Sequence, residues 1–129
     1  MRLGHVALLV PDYDAALAFF VGGLGWTCTA DEDQGRKRWV TVVPPGGGCG
    51  LVIARAEGAQ ARAIGEQFGG RVGLFLHSDN FDGAAALITA AGGTFEEAPR
   101  RESYGIVAVW RDPWGNRWDL IGTWREPER

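Results

Sequence analysis

Apolar residues along the chain fall into short blocks, and the spacing inside each block predicts an element. Residues 3–10, Leu-Gly-His-Val-Ala-Leu-Leu-Val, form a nearly unbroken apolar run that predicts a strand covered on both faces. Pro11 and Asp12 stop it, and Asp12 or Asp14 can cap the helix predicted over 14–21, whose Ala, Leu and Phe residues share one face. Gly22, Gly23 and Gly25 end that helix. Two strands follow over 26–31 and 38–43, around a polar turn at 31–37. The run Pro44-Pro45-Gly46-Gly47-Gly48 is a hard turn, and 50–55 is a further strand. Residues 56–70 are polar and rich in Ala, Gly and Gln, which predicts a connector with a short helix. The order then recurs: a strand over 71–78, a helix over 82–91 closed by Gly92-Gly93, and strands over 94–98, 105–111 and 116–121. The charged tail 122–129 is expected to fray.

The recurrence has a constant offset. Adding 68 takes Asp12-Tyr13-Asp14 to Asn80-Phe81-Asp82, Gly25 to Gly93, and Pro45-Gly46-Gly47 to Pro113-Trp114-Gly115. Identity is low, but turns, helix and apolar runs coincide. The chain therefore reads as α+β, two βαβββ modules: module 1 over about 1–56, a connector over about 57–70, and module 2 over about 71–122. One small sheet with one helix holds too little core to stand alone. The expectation is a single domain, 1–129, in which helices cover the outer faces and the opposite faces enclose a cleft. That cleft can form within one chain or by exchange of modules between two.

Composition narrows the function. Of 129 residues, 46% are hydrophobic and 22% charged, as in ordinary globular domains. A net charge of −3 argues against a nucleic-acid footprint. The chain lacks the unbroken apolar stretch that a membrane helix needs, and its first residues do not read as a signal peptide. Two cysteines, Cys28 and Cys49, are too few for a disulfide framework, so a reducing cytoplasm is expected. One lysine against twelve arginines, with abundant Ala and Gly, suggests a GC-rich bacterial source. Six tryptophans, at 26, 39, 110, 114, 118 and 124, imply aromatic packing or a pocket for a flat ligand.

The segments Gly4-His5-Val6-Ala7-Leu8-Leu9-Val10, Asp12-Tyr13-Asp14-Ala15-Ala16-Leu17-Ala18-Phe19-Phe20 and Leu24-Gly25-Trp26 resemble the vicinal oxygen chelate superfamily. So does Asp112-Pro113-Trp114-Gly115-Asn116-Arg117-Trp118-Asp119-Leu120, whose Asp-Pro-X-Gly-Asn turn is its most specific part. That superfamily includes glyoxalase I, extradiol dioxygenases and bleomycin- and fosfomycin-resistance proteins. Its metal site takes one residue from each of four strands, usually His on the first strand of each module and Glu on the last. The resemblance implies His5 and Asp119 as ligands or catalytic groups. The offset places the other two corners at Gly73 and Leu51, which cannot ligate through their side chains. Two ligands are fewer than a Zn²⁺ site retains. His77 shares a face with Gly73 and Phe75 but lies about 13 Å from Gly73 along the strand, too far to fill the corner.

Three functions remain open. One is a binding protein for a small, partly apolar or aromatic molecule, similar in logic to the metal-free bleomycin-sequestering branch. Its cleft is expected to be lined by Ala7, Leu9, Trp39, Leu51, Ile53, Gly73, Phe75, His77, Trp110, Arg117 and Ile121. The second is a lyase, isomerase or dioxygenase with a divalent metal (Zn, Ni, Mn or Fe). The third is a metal-independent acid–base enzyme using His5 and Asp119. His5 and Asp119 also have structural readings: a hydrogen-bonded strand histidine, and an Arg117–Asp119 or His5–Asp119 pair. Tyr104, in the Arg-rich loop 99–105, is a candidate lid residue, Arg100 and Arg101 read as a solvated pair, and a homodimer is expected by resemblance.

Overall fold

A computed structural model describes residues 1–123 of the chain, so Trp124 and most of the charged tail lie outside the described residues. The chain divides into two compact units, 1–67 and 68–129. Each is a βαβββ module, and the fold is α+β.

In unit 1, β1 (His5–Val10) pairs in parallel with β4 (Gly50–Arg55). Beyond it lie β3 (Arg38–Val43) and β2 (Thr27–Asp33), both antiparallel to their neighbours. Helix α1 (Tyr13–Leu17) is capped by Asp12, whose side chain accepts from Ala15 N. It continues as a π-helical turn over Ala18–Gly23. The helix packs on one face of the sheet. Leu8, Val10, Val40, Val42, Leu51 and Ile53 are buried there, together with Tyr13, Ala16 and Phe20 of the helix. Arg38 seals the rim: it bonds Asp31 and Asp14 at 2.8 and 2.9 Å, and its guanidinium lies 5.2 Å from the Tyr13 ring centroid.

After a 3₁₀ segment over Gly58–Ala63, Gln67 closes the unit along the edge of β1. Its side-chain amide accepts from Leu9 N and donates to Ala7 O, both at 2.8 Å, as a neighbouring strand would.

Unit 2 repeats the plan with β5 (Val72–Ser78), α2 (Phe81–Ala91), β8 (Gly105–Arg111) and β9 (Arg117–Gly122). Its second strand is broken into β6 (Thr94–Phe95) and β7 (Arg100–Glu102), both paired with β8. At the break, Glu96 N donates to Val109 O and the Glu97 carboxylate accepts from Val109 N at 3.2 Å. The expected loop 99–105 is therefore mostly strand. Tyr104 sits in the two-residue turn joining β7 to β8, not on a lid, and Arg100 is ion-paired with Glu97 and Glu102.

The helices keep the offset of 68, since 13–23 maps onto 81–91, but the last strands do not. Six residues (44–49) separate β3 from β4, and five (112–116) separate β8 from β9. The last strands are therefore related by 67, and Asp119 corresponds to Val52 instead of Leu51. A one-residue slip moves every side chain to the opposite face of a strand.

The shorter turn is organised by Asp112, which is buried. Its Oδ1 accepts from Trp114 N and Asn116 N, both at 3.0 Å. Its Oδ2 accepts from Asn116 Nδ2 at 2.9 Å and Trp118 Nε1 at 3.0 Å. The indole so fixed stacks on Trp110, with ring centroids 4.9 Å apart. Removing the carboxylate strands several buried donors, each worth about 1–3 kcal/mol. Asp112→Ala is expected to lower stability by about 3 kcal/mol or more in chemical denaturation. Asp112→Asn, which keeps one acceptor oxygen, should lose less.

Candidate functional site

One helix covers one face of each sheet, and strand alternation assigns the remaining residues to the opposite, helix-free face. In unit 1 this face carries His5, Ala7 and Leu9 of β1, Val52 and Ala54 of β4, and Trp39 and Thr41 of β3. Leu51 and Ile53 pair with Val6 and Leu8 and point into the helix-covered core, so they do not line this face. Their places are taken by Val52 and Ala54. The cause is the one-residue difference in turn length.

Gly50 shapes the end of this face. A Cβ there would lie 3.2 Å from His5 Cδ2 and 2.7 Å from Val43 Cγ1. The missing side chain lets the imidazole lie across β4, where it meets the edge of Trp39 at 6.3 Å between centroids and 73° between planes. His5 is exposed, and Trp39 keeps 39% of its surface accessible.

In unit 2 the helix-free face carries Phe75 and His77 of β5, Arg117, Asp119 and Ile121 of β9, and Val107 and Val109 of β8. Trp110 is on the other side, fully buried against Trp118 and under α2, so it is a core residue and not a ligand platform. Trp39 maps by the offset onto Val107, three positions from Trp110, which is why the two tryptophans face opposite ways.

Gly73 is the extra residue of a bulge, between Val72, paired with Arg117, and Leu74, paired with Trp118. The ring of Phe68 fills the space a side chain at 73 would take, and a Cβ there would overlap the ring. The polar look of 56–70 hid Phe68. The signal was a single aromatic beside Gly69-Gly70, a few residues before a strand glycine.

The charges on this face are arranged around Asp119. Arg117 donates to Glu96 at 2.9–3.3 Å and to Gly70 O at 3.2 Å, instead of pairing with Asp119. Arg111 also bonds Glu96, at 2.6 Å. These guanidiniums hold the Glu96 carboxyl below its ordinary range, through the Arg117 hydrogen bond first. Asp119 Oδ1 is shut off from solvent and has no hydrogen-bond partner among the described residues. Desolvation pushes its carboxyl above the usual aspartate value; Arg100 and Arg117 oppose the shift, and Glu97 adds to it.

These residues do not fit the four-cornered metal centre. His5 belongs to unit 1 and Asp119 to unit 2, and the positions related to them are Gly73 and Val52, which offer no side-chain donor. No group of three or more His, Cys, Asp or Glu suited to a metal occurs among the described residues. The ring of Phe68 also bars a longer side chain at 73.

Two measurements follow from this geometry. Gly73→Ala should cost about 1–3 kcal/mol of stability by overpacking, and the cost should largely vanish in a Phe68→Ala background. Asp119 binds its proton more tightly folded than unfolded, so its contribution to stability is fully present below the unfolded-state pKa and is lost as pH rises through the folded one. Asp119→Asn does not ionise. Its melting temperature should gain on the wild type as pH rises from the ordinary aspartate range upward and level off once the pH is above the folded-state pKa of Asp119. A gap that stays flat with pH would contradict the desolvation of Asp119.

Residues 2–120 match the Glyoxalase/Bleomycin resistance protein/Dioxygenase superfamily. A protein from Shewanella frigidimarina is 44% identical over 121 residues, covering 91% of this chain and 90% of that protein. Among solved structures, UcmS2 shares 30% identity and a TM-score of 0.79, over 95% of this chain and 98% of that one. TnmS3, an antibiotic binding protein from Streptomyces sp. CB03234, shares 25% identity and a TM-score of 0.75, over 96% and 97%. A superfamily member from Sphaerobacter thermophilus shares 26% identity and a TM-score of 0.73, over 95% and 98%.

Proposed function

The chain belongs to the glyoxalase/bleomycin resistance protein/dioxygenase superfamily, and from that membership we propose that it binds a small, partly apolar or aromatic molecule of antibiotic-like chemistry without a resident metal. The observation that carries this reading is Phe68 seated on Gly73, an aromatic ring where a metal centre would need a ligand. Exposed aromatic residues on the helix-free faces support it: Trp39 is 39% and Phe75 55% accessible. Aromatic side chains offer large contact area at low entropic cost, and ring pairs add about 0.5–1.5 kcal/mol beyond burial. Similarity to TnmS3, an antibiotic binding protein, points to the same ligand chemistry. His5 and Asp119 then act as polar contacts instead of ligands to an ion.

We take the active form to be a homodimer in a bacterial cytoplasm. No described helix is long and apolar enough to cross a membrane, and the net charge of −3 gives nucleic acid no electrostatic attraction.

Two measurements test the proposal. Elemental mass spectrometry of untagged protein should find Zn, Ni, Mn and Fe well below one per chain, with no rise after incubation with those ions. Stoichiometric metal that disappears in His5→Ala would overturn the reading and favour a metal-dependent lyase or dioxygenase. In fluorescence titrations with antibiotics that carry a planar aromatic group, saturable binding is expected, and Trp39→Ala should weaken it by about tenfold.

A further inference from the structure

We infer that the Asp119 carboxylate is a specificity-determining acceptor, which selects aromatic ligands carrying a hydrogen-bond donor, such as a phenolic O–H or an aryl N–H. The inference rests on the aromatic-binding reading above and goes beyond it by naming the group on the ligand and its counterpart on the protein.

Three observations within unit 2 carry it. First, Asp119 is poorly satisfied by the protein. Its Oδ1 is buried with no partner among the described residues. A buried acceptor left unpaired is costly, and a charged one more so. Second, the cations that would ordinarily pair with it are engaged elsewhere. Arg117 is two residues away on the same face, but its guanidinium is held by Glu96 and Gly70 O. Arg100 is held by Glu97 and Glu102. Third, the direct ladder partner of Asp119 on β5 is Phe75, whose ring is 55% exposed. Paired strands lie about 4.8 Å apart, so a flat ring resting on Phe75 brings its edge to the carboxylate. On the other side Val109 is the ladder partner and is buried, and the Glu97 and Arg100 side chains beyond it are paired with each other.

The expected selectivity is strong because it includes a penalty. With Oδ1 already shut off, a ligand with a donor bonds the other carboxylate oxygen in place of water, whereas one without a donor covers that oxygen and leaves the whole carboxylate unpaired. Charge-assisted hydrogen bonds are also the stronger kind.

The test uses the full-length protein and two probes of the same shape, hydroxypyrene and methoxypyrene, with binding read from the anisotropy of probe fluorescence. The wild type should bind hydroxypyrene at least about tenfold more tightly than methoxypyrene. In Asp119→Leu the preference should fall to within about twofold, with methoxypyrene bound no more weakly than by the wild type. Asp119→Asn, nearly isosteric, keeps an acceptor without its charge and should show an intermediate preference, which separates loss of the acceptor from a repacked site. If both probes bind and the wild type does not discriminate, or if discrimination survives in Asp119→Leu, the inference is overturned while aromatic binding stands. If neither probe binds saturably, the parent reading fails and the inference falls with it.

Discussion

A sheet with a single covering helix can bury only one face, and every feature of the candidate site descends from that constraint. In each unit the helix takes the side chains of one strand parity, among them Leu8, Val40 and Ile53 in the first and Trp110, Trp118 and Leu120 in the second. The other parity has no secondary structure of its own unit to pack on. It is there that the exposed His5 and Trp39 of unit 1 and the exposed Phe75 and His77 of unit 2 occur, together with the half-buried Asp119. Placing a residue on one side or the other by a single step in register separates core from site.

Two glycines adjust the helix-free faces in opposite ways. At Gly50 the missing Cβ admits a neighbouring strand's imidazole, so His5 reaches Trp39. At Gly73 it admits the ring of Phe68, which fills a place where a ligating side chain would otherwise stand. The first keeps a polar group in play, and the second replaces coordination chemistry with an apolar surface. The charge pattern of unit 2 has the same directional character. Glu96 gathers Arg111 and Arg117, Glu97 and Glu102 gather Arg100, and among the described residues Asp119 has no cation bonded to it. Carboxylates on neighbouring strands thus decide the state of one on β9, because each guanidinium bonds the acceptor whose geometry it matches best.

The Asp112-centred turn shows how a motif and a core depend on each other. It fixes Trp118, Trp118 stacks on Trp110, and Trp110 packs beside Gly93 at the C-terminal end of α2. The same turn is one residue shorter than its counterpart in unit 1, and that difference sets which residues of β9 look outward.

The sequence by itself determined the module plan. Runs of apolar residues, capping residues and glycine stops are local signals, and they placed both helices and most strands within a few residues, because local propensity and capping act over a turn or two. It also determined that two metal corners lack donors, since Gly at 73 and an apolar residue at 51 or 52 have none to give. Only the tertiary structure decided which face each strand residue joins. That depends on ladder pairing across some 45 residues, and one residue fewer in a turn exchanged Leu51 and Ile53 for Val52 and Ala54, while Trp110, three positions from the counterpart of Trp39, falls on the core side of β8. Only the fold, too, brought Phe68 onto Gly73 and gave Arg117 to Glu96 instead of Asp119. Proximity along the chain favoured the wrong partner, because the long Arg117 side chain reaches across β8 to Glu96 at the break between β6 and β7, a neighbour in space that sequence distance does not show.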